Sequence, residues 1–448
     1  MEFLIPEEIK KICTSLQSAG FEACLVGGCL RDLLLQKEPH DWDITTSALP
    51  KQAEAVLSKE FYCRETGIQH GTITVFADNI STEVTTYRID GNYSDHRRPD
   101  TVLFTRNLTE DLKRRDFTIN AMAWDGTLTD PFGGQKDLSS KIIRCVGNPD
   151  DRFQEDGLRI LRALRFASTL DFFIEPKTAQ SIHQNRWLLK SIAMERICSE
   201  LLRLLCGKGA SRILDEYQDV FFVFLPELLP ETKCPQNNPY HIYDVWHHTL
   251  KALENVPPAP DRRLATLLHD IGKPSCHTTD KNGIDHFHGH GKAGVDLSEA
   301  ILRRLRCPKK FSDLIVSAVH YHDILYTDDE HLIRRRLQKL GEPLFFLILD
   351  LKRGDTAGQN PLYFTRLEEL NRVETHAQKI IAEGNCFSLK QLAVNGNDLL
   401  KAGVSPGPQI GKILRFLLEA VINGQCANTK SELIQYYYQT NFSGNDAL

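Results

Sequence analysis

The sequence predicts an α+β chain: a small mixed sheet with helices at its N-terminal end, followed by a long all-helical remainder. Over residues 1–145, short β-patterned runs interleave with helical ones. From Phe153 onward strand signals vanish and apolar residues recur with the period of long helices. The chain has 448 residues, too many for one core, so it should divide into roughly three or four domains. Its charged (25%) and apolar (41%) fractions are those of an ordinary globular protein. A formal net charge of -5 gives no general attraction to nucleic acid, so RNA contact would rest on local basic faces, and nothing points to DNA. Twelve cysteines form no C-x-x-C pair, and Met1-Glu2-Phe3 opens without a basic region or a long apolar run. Free thiols, no export signal and a cytoplasmic location are the expectation. The most apolar short run, around Val220 to Leu225, is far below a membrane span, so no membrane contact is expected.

Element by element, Pro6 and Gly20 bracket a first helix, Pro in the first turn and Gly just past the end. Strands follow at about Phe21 to Val26, Trp42 to Thr46, Thr72 to Ala77 and Thr82 to Arg88. Gly27-Gly28 ends the first strand and lets backbone N–H groups approach a triphosphate before the helix carrying Arg31 begins. Asp41-Trp42-Asp43 comes next. Alternation along a strand points both carboxylates one way and Trp42 the other. Paired carboxylates suit Mg2+, which keeps positions for water and substrate phosphates and, as a metal pair, clamps an in-line phosphoryl displacement. Taken singly, Asp-x-Asp reads as a solvated strand end and Gly-Gly as an ordinary turn. In the order strand, Gly-Gly, helix, Asp-x-Asp they look like a nucleotidyltransferase palm.

Glu83 in Glu83-Val84-Thr85-Thr86-Tyr87-Arg88 is either a solvent-facing strand residue or a third carboxylate of that site. Ile89 to Arg106 is polar, Arg-rich and punctuated by Gly and Pro, the composition of a loop able to touch phosphates or of one that is simply solvated. Lys113-Arg114-Arg115-Asp116 then leads into an apolar helix carrying Asn120. Along Glu155 to Phe166, Arg159, Arg162 and Arg165 recur at every third position, with Asp156 one turn before Arg159. One reading is an exposed i, i+3 salt bridge. The other is an amino-acid template: Asp accepts from an exocyclic amine and Arg donates to a ring nitrogen or carbonyl, so a fixed pair reads C or A and rejects G and U.

The ordered set GG-x-x-R-D, D-W-D, E-V-T-T-Y-R, R-R-D-F-T-I-N-A, D-P-F-G-G and E-D-x-x-R-I-L-R-A-x-R-F resembles the class II tRNA nucleotidyltransferase and bacterial poly(A) polymerase family over roughly the first 210 residues. The resemblance implies a polymerase-beta-like palm with metal ligands Asp41 and Asp43 and base readers Asp156 and Arg159. It implies nucleotide contacts from Gly28, Arg31, Arg114, Arg115, Asn120, Arg162 and Arg165, with Glu83 as a third catalytic carboxylate. Its substrates would be CTP, ATP and the tRNA acceptor arm. Glu195-Arg196-Ile197 resembles the family's neck, with a structural role. The run Arg88-Ile89-Asp90-Gly91-x-Tyr93-x-Asp95-x-Arg97-Arg98-Pro99 resembles a flexible element of the CCA-adding and A-adding branches and argues against a CC-only enzyme. Leu392 to Leu399 and Gly403 to Gly411 resemble the C-terminal region of CCA-adding enzymes. A poly(A) polymerase or an A-adding enzyme is the alternative.

Histidines gather between His248 and His322. Leu267-Leu268-His269-Asp270-Ile271-Gly272-Lys273 resembles the HD phosphohydrolase superfamily. That likeness implies a divalent transition metal held by His248, His269, Asp270 and Asp355, with His290 and His320 for a second. The activity it implies is hydrolysis of phosphate monoesters or 2′,3′-cyclic phosphates. A phosphohydrolase with an RNA-binding first domain is the rival of another class. The expected division is a head at 1–145, a nucleotide-selecting and neck region at 146–225, a Pro-rich linker at 226–240, an HD domain at 241–357 and a tRNA-binding tail at 358–448. A loop from Asp355 to Pro361 separates the last two.

Overall fold

The computed structural model describes residues 3–67, 71–91, 101–382 and 389–440. Tyr93, Asp95, Arg97, Arg98 and Pro99 of the Arg-rich loop lie outside them. The chain forms two compact units, Met1–Pro226 with Arg304–Arg306, and Glu227–Arg303 with Cys307–Leu448.

In the first unit the strands are β1 (Ala23–Val26), β2 (Trp42–Thr46), β3 (Tyr62–Gly67), β4 (Thr72–Ala77), β5 (Ile80–Thr86), β6 (Arg88–Asp90), β7 (Val102–Phe104), β8 (Ala123–Trp124) and β9 (Leu128–Thr129). Seven of them build one sheet in the order β3-β4-β5-β2-β1-β8-β9. It is mixed: β2 and β5 run parallel, and the other neighbours are antiparallel. β1 reads as an unbroken apolar run because both of its faces are covered. Ala23 and Leu25 join the core beneath the Glu7–Ser18 and Pro50–Leu57 helices, while Cys24 and Val26 join a second core with Leu112 and Ala121. On β2, Trp42 and Ile44 enter the first core, which leaves Asp43 and Thr45 on the opposite face.

The expected continuous strand to Arg88 is corrected. The chain turns at Tyr87, which is fully buried, and Arg88 starts β6, paired with β7. Strands also recur after Phe153: Phe173–Ile174 pairs in parallel with Ile142–Ile143, and Thr278–Thr279 pairs with Asp285–His286. The boundary between the two units falls at Pro226/Glu227, at the start of the Pro-rich stretch expected as a linker, and the stretch is itself structured. Pro226–Lys233 is a 3-10 helix that buries Leu228 and Glu231. Asp355 lies not in a loop but in the last turn of the Glu342–Ala357 helix. The C-terminal helices close on a small core of their own that includes Leu399, Ile413, Leu417 and Leu433. Among the described residues no helix is long and apolar enough to cross a membrane, and every cysteine is a free thiol.

Candidate active site and metal centre

The parallel pairing of β2 with β5 sets Asp43 directly opposite Glu83. Asp41, exposed, stands just before the strand. Burial pushes the Asp43 carboxyl above the usual range against the pull of Arg115, and Glu83 and Asp41 push the same way as burial. The chain leaves β1 straight into the Gly27–Leu34 helix. Gly27 has φ +73, and a Cβ there would stand 3.2 Å from Arg115 Nη1 and 3.3 Å from Asp43 Oδ2. Only glycine permits both the backbone angle and this approach. A cavity of about 220 Å³ opens over Asp43, Glu83, Arg114 and Arg115. Both arginines are anchored on buried Asp111, Arg114 at 2.8 Å and Arg115 at 3.4 Å. Burial alone would raise the Asp111 carboxyl, but the two guanidinium groups outweigh it and hold it below its ordinary value.

A second hub is Asp116, to which no role attaches from the sequence alone. Arg162 donates to its Oδ2 at 2.6 and 2.9 Å, and Asn120 Nδ2 to its Oδ1 at 3.1 Å. Arg31 Nη1 donates in turn to Asn120 Oδ1 at 2.9 Å, so Arg31, Asn120 and Arg162 form one network. Burial opposes ionisation of Asp116, yet Arg162 and Asn120 bring its pKa down to about 2. Arg165 donates to Glu200 at 2.6 Å and lies 3.8 Å from the Phe166 ring centroid. In the D-P-F-G-G motif, Asp130 accepts from the N–H groups of Gly134 and Gln135, which begin the Gly134–Ser139 helix, and so holds the turn before it.

The side chains of Asp156 and Arg159 form no salt bridge with each other, so the i, i+3 ion-pair reading is not the one seen; the Arg159 backbone N–H donates to the Asp156 carbonyl at 2.9 Å. The Pro149–Glu155 helix stops at Asp156, whose backbone is extended (φ -138, ψ 103), and a new helix begins at Leu158. Asp156 Oδ2 accepts instead from Arg196 Nη2 at 2.9 Å, and its Oδ1 from Leu158 N–H at 3.0 Å. Arg159 is braced by Glu155 at 2.5 Å and by the carbonyls of Arg114 (3.1 Å) and Arg152 (3.3 Å). Each base-reading candidate therefore has its own clamp. Arg196, in the neck, is the partner the sequence did not reveal.

In the second unit five helical segments converge on buried Asp270. His248 Nε2 and His269 Nε2 stand 3.5 and 3.1 Å from its Oδ2, and His290 Nε2 and His322 Nε2 stand 3.5 and 3.7 Å from its Oδ1. Asp355 Oδ1 is 3.1 Å from His248 Nε2. All four rings are held in the same way. Their Nδ1 atoms face backbone carbonyls of Gly358 (3.2 Å), Thr266 (2.7 Å), Phe287 (2.8 Å) and Val319 (2.7 Å). With the Nδ1 protons donated there, the Nε2 lone pairs point inward. The Nε2 atoms of His248 and His269 are buried and make no hydrogen bond, as a ligand set expects. Among the described residues two groups have metal-binding spacing, His248-His269-Asp270 and Asp270-His290-His322. His320 is not among them. It is exposed, two positions from His322 and so on another face of the helix, and His322 holds the place expected of it. Lys273 Nζ lies 2.6 Å from Asp270 Oδ2 and Lys352 Nζ 3.1 Å from Asp355 Oδ2.

Residues 23–144 match the family described as the poly A polymerase head domain. Residues 171–232 match the probable RNA and SrmB-binding site of polymerase A, and 293–437 the putative tRNA nucleotidyltransferase domain 2. The CCA-adding enzyme of Limosilactobacillus reuteri is 36% identical over 433 residues, spanning 96% of this chain and 95% of that protein. That of Lactobacillus delbrueckii subsp. bulgaricus is 35% identical over 430 residues, 95% of this chain and 96% of its own. The crystal structure of the Bacillus stearothermophilus CCA-adding enzyme in complex with CTP superposes with a TM-score of 0.70 at 31% identity, covering 97% of each chain. With a head-domain match over residues 23–144 and relatives 35–36% identical over 95–96% of its length, this chain belongs to the CCA-adding enzymes of the poly(A) polymerase family.

Proposed function

We propose that the protein adds or repairs the 3′-terminal CCA of tRNA from CTP and ATP without a nucleic-acid template. The tRNA 3′-hydroxyl oxygen bonds to the nucleotide α-phosphorus, the bond to the bridging oxygen breaks, and pyrophosphate leaves. The observation that carries this reading is the Asp43/Glu83 pair, set side by side on parallel strands beside the Gly27–Leu34 helix, with Asp41 just outside the strand. This carboxylate cluster fits a divalent cation, because burial first, and then the charges of Glu83 and Asp41, raise Asp43, and a cation would favour its ionised form. Mg2+ held by Asp41, Asp43 and Glu83 would supply activation of the hydroxyl and neutralisation of the leaving phosphates. The chain's own residues orient the nucleotide. N–H groups at Gly27-Gly28 with Arg31, Arg114 and Arg115 face the triphosphate, and Asn120, Arg162 and Arg165 keep that surface in place through Asp116 and Glu200. Asp156 accepts the amine of C or A and Arg159 donates to the ring, while G and U present donors and acceptors the wrong way round. Residues 1–145 are the head, 146–225 the selecting and neck region, 241–357 the HD region and 358–448 the tail that holds the acceptor arm. The free thiols fit a cytoplasmic enzyme.

The second unit supports an additional reading. We infer that His248, His269, Asp270 and Asp355 hold one divalent transition metal and Asp270, His290 and His322 a second, and that this centre hydrolyses a terminal phosphate from an RNA end. Pinning of all four imidazole rings by backbone carbonyls favours it.

Asp41 is exposed, outside the packed core, so Asp41→Ala is expected to abolish nucleotide addition while leaving the thermal melt unchanged. Normal addition by that variant would remove Asp41 from the site.

A further inference from the structure

The metal centre in the second unit opens into a cavity of about 390 Å³. Asp270, Lys273, His290, His322 and Tyr240 are among the residues that line it. Tyr240 is 45% exposed, although an aromatic ring of that size is normally covered. It is held in position by its backbone: its carbonyl accepts from Asn360 N–H at 2.8 Å, and Asn360 Nδ2 also donates to the Pro239 carbonyl. The same turn brings up Tyr363, whose ring centroid lies 4.8 Å from that of Tyr240. Exposed Arg366 sets its guanidinium carbon 5.5 Å from one ring and 4.9 Å from the other. Leu362, next in the chain, is 80% exposed.

The deep end of this cavity gathers metal-ligating groups and a lysine, which suit a phosphate. Beside it stand two aromatic rings tilted 43° to each other, the Tyr240 face partly open to solvent and the Arg366 cation close to both, which suits an unpaired base stacked on one ring. Such a cavity is at the small end of ligand sites and too small for a polymer, so most of an RNA chain attached to a bound phosphate would lie outside it. A phosphorylated peptide or a sugar phosphate would leave both tyrosine faces uncovered.

We propose that Tyr240, Tyr363 and Arg366 form a stacking platform that selects, for the metal centre, a phosphate carried by an unpaired nucleotide. This rests on the hydrolytic reading of the second unit given above. The covalent step is the hydrolysis already described: a water oxygen bonds to phosphorus, the ester P–O bond breaks, and the leaving sugar oxygen takes up the proton. The platform contributes binding only.

The test uses the full-length protein loaded with Mn2+ and three phosphate esters: glycerol phosphate, which has no base, adenosine 3′-monophosphate, and a short single-stranded RNA ending in a 3′-phosphate. The wild type is expected to prefer adenosine 3′-monophosphate to glycerol phosphate by about tenfold or more in kcat/KM, the scale of one base–aromatic stack. Tyr240→Ala is expected to bring that ratio close to one through KM, and Tyr240→Phe, which keeps the ring, to restore it. A still better rate on the RNA would identify an RNA end, rather than a free nucleotide, as the source. Equal rates on the nucleotide and glycerol esters, or a Tyr240→Ala ratio unchanged from wild type, would overturn the platform. Absence of cleavage of any ester would overturn the hydrolytic reading alone. Calorimetric binding of adenosine 3′-monophosphate to the wild type and the Tyr240 variants would then decide the platform, with equal affinities refuting it.

Discussion

Replacing Arg196 by alanine tests whether base choice depends on how Asp156 is held. Arg196 touches Asp156 at 2.9 Å, and the two side chains are 27% and 16% exposed. A charge-assisted hydrogen bond contributes about 1.5–3 kcal/mol. Partial exposure to water lowers this one to about 1–2 kcal/mol. Asp156 keeps its bond from Leu158 N–H at 3.0 Å, so the carboxylate is loosened rather than released. An energy of that size corresponds to roughly a 5- to 30-fold loss in the preference for C and A over U and G. The assay is single-nucleotide extension of a tRNA transcript lacking its terminal CCA, with kcat/KM measured separately for the four triphosphates. Efficiency with CTP and ATP should fall by that factor while efficiency with UTP and GTP does not, and Arg196→Lys should recover part of the difference. An equal fall with all four, or an unchanged ratio, would refute the idea that Arg196 acts through Asp156.

Gly27→Ala should lower kcat by at least about tenfold, because its Cβ meets Arg115 and Asp43 within 3.3 Å, whereas the positive φ costs only about 1–2 kcal/mol of stability by denaturant titration. Asp116, with its pKa brought down to about 2 from 3.8, contributes stability that is complete above about pH 4 and lost as pH falls through 2. Thermal melts of wild type and Arg162→Gln should therefore differ most above pH 4 and converge toward pH 2; a constant gap would exclude this linkage. Gly358→Ala would place a Cβ 2.9 Å from His248 Nδ1, so the metal content of the second unit after loading, read by mass spectrometry, should drop even though every ligand is retained.

Much of this site is legible along the chain. Asp43 and Glu83 sit in strands whose alternation is plain, and pairing those strands brings the carboxylates together. At Asp156 spacing misleads, because an i, i+3 rule holds only inside a helix, and Gly157 marks the break between two of them. The correct histidine has a signal: Ile315, Ala318 and Val319 form the buried stripe of their helix, and the next position on that stripe is His322, not His320. Phe173–Ile174 is too short for alternation to register, and β3 is largely exposed, so its apolar pattern is weak. Arg196 cannot be found from spacing at all, since its contact with Asp156 spans 40 positions and depends on how two helices pack.

CCA addition itself is decided by supplying purified protein and Mg2+ with a tRNA transcript that ends at the discriminator base, giving CTP alone, ATP alone or both, and resolving the products at single-nucleotide length. The expected products are two nucleotides longer with CTP and three longer with both, and no longer than that. A long ladder with ATP would make the protein a poly(A) polymerase, growth only on a transcript already ending in CC would make it A-adding, and no growth on any transcript would overturn the proposed transfer reaction.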